Sequence, residues 1–182
     1  VYKKKHSDGF RWLHESFGTN WRMTEIQASI GRIQLQKMNQ WTKKRNSHQN
    51  TIWKNCESLD LIRTPEFNKK SWEFFHDGNI HAAYKCYVFI NENILRPGWS
   101  RDKIITEITK LGVPCFSGSC SEVYLEKAFV KANLKPRKRL KYARVLGETS
   151  LCFLIHPTIT KNEIELTCKT ITSVAKRATK SL

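Results

Sequence analysis

What this chain lacks narrows it first. No stretch of its 182 residues approaches the ~18 uninterrupted apolar side chains of a membrane-spanning helix. Residues 1–10, VYKKKHSDGF, have neither the apolar run nor the small-residue cleavage site of a secretory signal. The six cysteines (Cys56, Cys86, Cys115, Cys120, Cys152 and Cys168) form no C-x-x-C pair, and no N-x-[ST] sequon occurs. Several lie in apolar runs, Cys86 in AAYKCYVFI and Cys152 in SLCFLI, where cysteine acts as a small hydrophobe. A disulfide framework is not expected, and the compartment read from this usage is the reducing cytoplasm.

Negative charge is scarce as well. Sixteen Asp and Glu stand against 32 Lys and Arg, a net charge of +16. Residues 27–55 contain no acidic side chain but carry Arg32, Lys37, Lys43, Lys44, Arg45 and Lys54. Residues 127–147 contain none against eight Lys or Arg. Such fields attract polyanions. No zinc-finger spacing, aromatic RNP pattern or GXXG loop accompanies them. Three partners stay open: nucleic acid, a small anion such as a nucleotide or phosphate ester, and an acidic protein surface. At 40% apolar and 26% charged the chain is globular, and it is long enough to bury a core.

What is present is organised around residues 18–35, GTNWRMTEIQASIGRIQL. Thr24 and Gln27 form a capping box, so a helix is expected to start at Thr24 and run to about Asn55. Ile26, Ile30 and Ile33 give it an apolar face from the start, but the later apolar positions drift rather than hold a heptad. That suits a helix packing first on one body and then on another. The loop before it carries Asn20, Trp21 and Arg22 at a helix N-terminus, where free N–H groups and the dipole favour an anion. Simple capping and solvation of a loop is the other reading of these residues.

Residues 1–17 initiate no domain, and the reading is a chain joined partway through. Residues 56–79 look irregular around Pro65 and Gly78, with a short strand near residues 61–63. Residues 82–90 form the best strand. Ser100 caps a helix with Ile104, Ile105, Ile108 and Leu111 inward, ended by Gly112. Residues 113–116 are expected to form a short strand, placed at an edge by Pro114. After a polar loop, residues 117–121, a weak helix is expected over 122–130 and a basic helix from Pro136 to Gly147, with Leu140, Ala143 and Leu146 inward. A strand over 150–155 ends at His156-Pro157. Thr160 and Glu163 then cap a last helix facing inward through Ile164, Cys168, Ile171, Ala175 and Ala178. The order predicts an α/β (α+β) domain, a small sheet covered by helices with one long N-terminal bridging helix.

Local chemistry offers little else. Cys115, Cys120 and His156 could form a nucleophile and base, but no elbow motif supports them and structural cysteines fit better. No metal is expected, because His76, His81 and the cysteines lack short ligand pairs. The 117–121 loop has a phosphate-nest composition without the G-x-x-x-x-G-K-[ST] pattern, so it reads as a turn.

The run GTNWRMTEIQASIGRIQLQKMNQWTKKRN resembles the G-x-N-x-R-M-T-E-x-Q-A-A-x-G-x-x-Q-L segment of the DegT/DnrJ family of sugar aminotransferases. LGVPCFSGSCSEVYLEKAF and LGETSLCFLIHPTITKNEI are similar to two later segments of that family, in the same order. The resemblance implies the C-terminal domain of the aspartate-aminotransferase-like fold, with residues 1–55 as interface loop and bridging helix and 56–182 as the small α/β domain. It implies pyridoxal 5'-phosphate as cofactor, a nucleotide-linked keto sugar as substrate, an amino donor such as glutamate, and a homodimer without membrane association.

By position, Asn20 would reach the cofactor phosphate of the neighbouring subunit, with Arg22 and Trp21 near the nucleotide sugar. Trp21 and Thr19 stand where the family often carries tyrosine, and residues 120–124 replace its P-L-H. The Schiff-base lysine is expected outside this chain, so no catalytic residue is assigned within it and the chain alone should be inactive. A basic nucleic-acid module and a non-catalytic scaffold homologue are the alternatives.

Overall fold

The computed structural model describes residues 13–20, 22–65 and 81–180. Helix α1, Glu25–Cys56, begins where the capping box requires. Thr24 Oγ1 accepts from the Gln27 N–H at 3.3 Å, and Gln27 Oε1 accepts from the Thr24 N–H at 2.9 Å. The two halves of α1 meet different surroundings. Ile26, Ile30, Ile33, Leu35 and Met38 are each at least half exposed. His48, Gln49, Ile52 and Cys56 are buried. The apolar face is thus covered only along the C-terminal half, where α1 lies on the sheet and on the last helix.

Among the described residues one antiparallel sheet holds four strands: β1 Ile62–Arg63, β2 Cys86–Ile90, β3 Cys115–Phe116 and β4 Ser150–Phe153, in the order β1-β2-β4-β3. Cys86 lies opposite Phe153 and Val88 opposite Leu151, and Cys115 meets Phe153 from the other side. Inward and outward side chains alternate along β2, whereas central β4 is buried throughout. The helices are α2 Arg101–Lys110, α3 Lys127–Lys131, α4 Lys141–Thr149 and α5 Lys161–Ala178. Short 3-10 turns cover Glu92–Ile94 and Val123–Leu125. Ile52, Val88, Ile104, Ile108, Leu151, Phe153, Ile171 and Val174 form the centre of the core. Burying each such side chain contributes about 1.5–3 kcal/mol. No helix among the described residues is long and apolar enough to cross a membrane.

Several expectations change on contact with the fold. The strand expected over 82–90 begins only at Cys86, because Ala83 takes a positive φ of 46°. The carbonyls of His81 and Ala82 bond instead to Asn46 Nδ2 and Arg45 Nε of α1, at 2.7 and 3.0 Å. Leu111 is 47% exposed rather than inward, although Ser100 caps α2 and Gly112 follows it at φ 84° as expected. The helix expected over 122–130 divides at Glu126 into a 3-10 turn and α3.

The basic helix starts at Lys141, not Pro136. The Leu140 N–H is held by Tyr124 Oη at 2.9 Å, which keeps that residue extended. Leu140 and Leu146 are exposed, and Gly147 lies inside the helix rather than at its end. Strand β4 stops at Phe153, two residues short of Ile155. The capping box of Thr160 and Glu163 forms as expected. The irregular stretch around Gly78 and His76 lies outside the described residues.

Candidate functional site

The loop leading into α1 is held at its downstream end by the Thr24 capping box. That box occupies the N–H groups of Thr24 and Gln27. Ala28 makes the first intrahelical bond, to the Thr24 carbonyl at 2.9 Å. The N–H groups of Glu25 and Ile26 are left to face out along the axis, as the geometry of a helix start dictates. Asn20 and Arg22 stand beside this end, both exposed, while Trp21 lies outside the described residues. An amide and a guanidinium within four residues of a helix N-terminus are the residue types suited to an anion there. Glu25 is the one opposing charge in the first turn.

Upstream, residues 14–17 lie against residues 126–129. The His14 N–H donates to Glu126 Oε2 at 2.7 Å, and the His14 carbonyl accepts from the Ala128 N–H at 3.0 Å. Lys127 pairs with Glu15 at 2.8 Å, and the rings of Phe17 and Phe129 meet edge to face at 5.1 Å. Burial pushes the Glu126 carboxyl up, but the backbone N–H and imidazole of His14, with the Cys120 thiol, pull it below the usual carboxylate range. None of these pairs was legible locally, since His14 and Glu126 are 112 positions apart.

The 117–121 loop is a turn, as expected, rather than an anion cradle. The Ser119 N–H is taken by Tyr87 Oη at 3.1 Å, and Ser150 Oγ donates to the Ser117 carbonyl at 2.7 Å. Gly118, at φ 86°, is needed here, because a β-carbon would come within 2.4 Å of the Tyr87 ring.

Next to it the buried Glu122 accepts from Tyr124 Oη at 2.6 Å and from Arg139 Nε at 2.9 Å, with a second Arg139 contact closing the fork. Arg139 hydrogen bonds hold the Glu122 carboxyl below its usual range. Glu148 pairs with Arg144 at 3.1 Å and with Arg139 at 3.6 Å. Acidic residues just outside the cation-rich stretch thus neutralise part of it.

Cys115, Cys120 and His156 do not form a nucleophile and base. Burial pushes the Cys115 thiol up to about 12, so it stays protonated. His156 Nδ1 lies 2.8 Å from Thr158 Oγ1, and its ring faces Trp41. Cys120 is exposed in the loop before Glu122.

The model of the DegT/DnrJ/EryC1/StrS aminotransferase family matches residues 3–172. The chain belongs to this family. An aminotransferase of known structure from Psychrobacter cryohalolentis is 51% identical, with a TM-score of 0.79 over 97% of this chain and 45% of that one. Helicobacter pylori PseC, an aminotransferase involved in the biosynthesis of pseudoaminic acid, is 14% identical, with a TM-score of 0.68 over 95% and 43% of the two chains. The erythromycin biosynthesis sensory transduction protein EryC1 of Saccharopolyspora erythraea is 26% identical over 129 residues, 69% of this chain and 30% of that protein. The chain therefore spans less than half the length of these relatives. Its fold is that of the aspartate-aminotransferase-like enzymes, and the family's cofactor is pyridoxal 5'-phosphate.

Proposed function

We propose that these residues serve as the small-domain part of a longer sugar aminotransferase, which moves an amino group from glutamate to a nucleotide-linked keto sugar. The observation that carries this reading is the family match over residues 3–172, with the donor-rich Asn20–Arg22 loop leading into α1. In this reading Asn20 donates to the phosphate of the cofactor held by the neighbouring subunit of a homodimer, while Arg22 and Trp21 meet the nucleotide sugar.

The residues present fit such a phosphate. Asn20 and Arg22 are exposed, both can donate, and they precede a helix N-terminus by a few residues, which suits a phosphate held mainly by other residues. Pyridoxal phosphate, when bound, supplies the electron sink for amino transfer. None of the 182 residues is assigned the covalent lysine, so the chain alone is expected to be inactive.

The exposed apolar half of α1 supports a bridging helix, because surface of that kind usually meets another body, whereas its C-terminal half shares the core of the residues that follow. Free thiols support a cytoplasmic setting without membrane contact. The nucleic-acid alternative rests on charge alone, and Glu122 and Glu148 reduce the field that would carry it.

In the intact enzyme, Asn20→Ala is expected to weaken cofactor binding about tenfold, the scale of a hydrogen bond to a charged group. Unchanged affinity would remove Asn20 from the site. Treating the 182-residue chain with pyridoxal phosphate and borohydride should fix no stoichiometric adduct on any single lysine, and one such adduct would overturn the assignment of that lysine elsewhere. A nucleotide sugar should compete for the Arg22 site, but would displace nothing from a true nucleic-acid module.

A further inference from the structure

The contacts made by residues 14–17 are unequal. Glu15 and Lys127 are each about half exposed, at 48% and 54%, and a pair of that kind contributes little. Phe17 is itself 57% exposed. Glu126 differs from both. It is 2% exposed, and its Oε1 has no hydrogen-bond partner among the described residues. A carboxylate buried in this way carries a desolvation cost that an apolar side chain of similar size would avoid. General stability is therefore a poor account of its presence.

What the carboxylate does achieve is local. It fixes the backbone N–H of His14, six positions before Asn20. The Thr24 capping box fixes the chain four positions after Asn20. The loop that carries Asn20 and Arg22 is tied at both ends: upstream at His14, whose N–H meets Glu126 and whose carbonyl meets the Ala128 N–H, and downstream to α1. The His14 carbonyl and Phe17 contacts remain without Glu126, but the segment entering the loop loses its buried anchor and can shift Asn20 by a fraction of the ~3.5 Å that one residue spans. A hydrogen bond to a phosphate oxygen tolerates only a few tenths of that.

We infer that Glu126 is a positioning residue: through the His14 backbone it holds Asn20 where the cofactor phosphate must be met. The inference rests on the proposed role of Asn20.

The test is a double-mutant cycle on cofactor dissociation constants in the intact enzyme. Glu126→Ala removes the acceptor, His14→Pro removes the backbone donor together with the imidazole, and His14→Ala, which removes the imidazole alone, is the control for it. The first two are each expected to weaken cofactor binding about tenfold, as Asn20→Ala does. In an Asn20→Ala background neither should weaken it further by more than about twofold, because the contact they position is already gone. A purely structural role would add its loss in both backgrounds, and that outcome overturns the inference. So does a normal dissociation constant in both Glu126→Ala and His14→Pro when Asn20→Ala is impaired. If Asn20→Ala binds normally, the reading of Asn20 fails, and this inference fails with it.

Discussion

A β-carbon at position 147 would stand 1.8 Å from Ser121 Oγ and 2.9 Å from Ser121 Cβ. Gly147 therefore lets α4 lie directly on the 117–121 loop, and that contact fixes where Glu122 begins its ion pair with Arg139. The Gly147 carbonyl, in turn, accepts from the buried Arg101 at 3.2 Å.

Gly147→Ala sets two effects against each other. Alanine favours a helix over glycine by about 1 kcal/mol. The overlap with Ser121 opposes it, and overpacking of this kind typically costs about 1–3 kcal/mol. The hydroxyl can rotate away, but Ser121 Cβ is fixed by the backbone, so the overlap should win. A net loss of about 1 kcal/mol is expected in urea unfolding, with recovery in the double variant that also carries Ser121→Gly. An unchanged midpoint for Gly147→Ala alone would show that the loop yields freely.

Arg101 is 6% exposed and donates through one terminal nitrogen to the carbonyls of Gly147 and Ser150, at 3.2 and 3.1 Å. Its Nε meets Asp102 Oδ1 at 2.6 Å. It joins α2 to the junction of α4 and β4. Arg101→Ala would leave two buried carbonyls without this donor, at about 1–3 kcal/mol each. We expect a loss of about 3 kcal/mol in chemical denaturation. A loss below about 1 kcal/mol would mean that water replaces the guanidinium.

Features legible in the sequence were those set by chemistry within a few residues. The Thr24–Gln27 and Thr160–Glu163 boxes and the Ser100 cap depend on local hydrogen bonding and stand where the residues place them. The edge strand expected over 113–116 keeps its edge position but only Cys115–Phe116 of its length. Leu111, Leu140 and Leu146 were misjudged for a different reason. Periodicity shows that a helix has an apolar face, but not that a neighbour lies over it. The Asn20–Arg22 loop is singled out by its motif, whereas the contacts of residues 14–17 with residues 126–129 have no local signal. Glu126 sits among residues of weak helical pattern, and its partner His14 lies far away in the chain.

Glu122 makes stability depend on pH. Its carboxyl is held low by hydrogen bonds from Arg139, so the ion pair stabilises the fold above the ordinary carboxylate pKa of about 4.3. That contribution is lost as pH falls through the lowered folded-state value, where the folded chain must also take up the proton. Glu122→Gln lacks this dependence. It should be less stable than the parent at pH 7, and the difference between their urea midpoints should narrow towards pH 3. A difference that stays constant across that range would count against the pair.

The six cysteines should separate into one fast thiol and five slow ones. Burial pushes Cys56 and Cys115 up to about 12, and Cys86, Cys152 and Cys168 are raised by the same cause. Thiolate is the reacting form, so these five are doubly protected, by access and by protonation. Cys168 is the least enclosed of them, with its Sγ 3.9 Å from the Thr51 carbonyl. Cys120 alone is exposed. A disulfide reagent at pH 8 should therefore modify one thiol quickly in the native chain, and that phase should vanish in Cys120→Ser. Guanidinium should release the remaining five together, because the buried ones line one sheet and its covering helices and unfold with it. A second fast thiol under native conditions would identify a local opening, and Cys168, on α5 where it faces α1, is where it should be sought first.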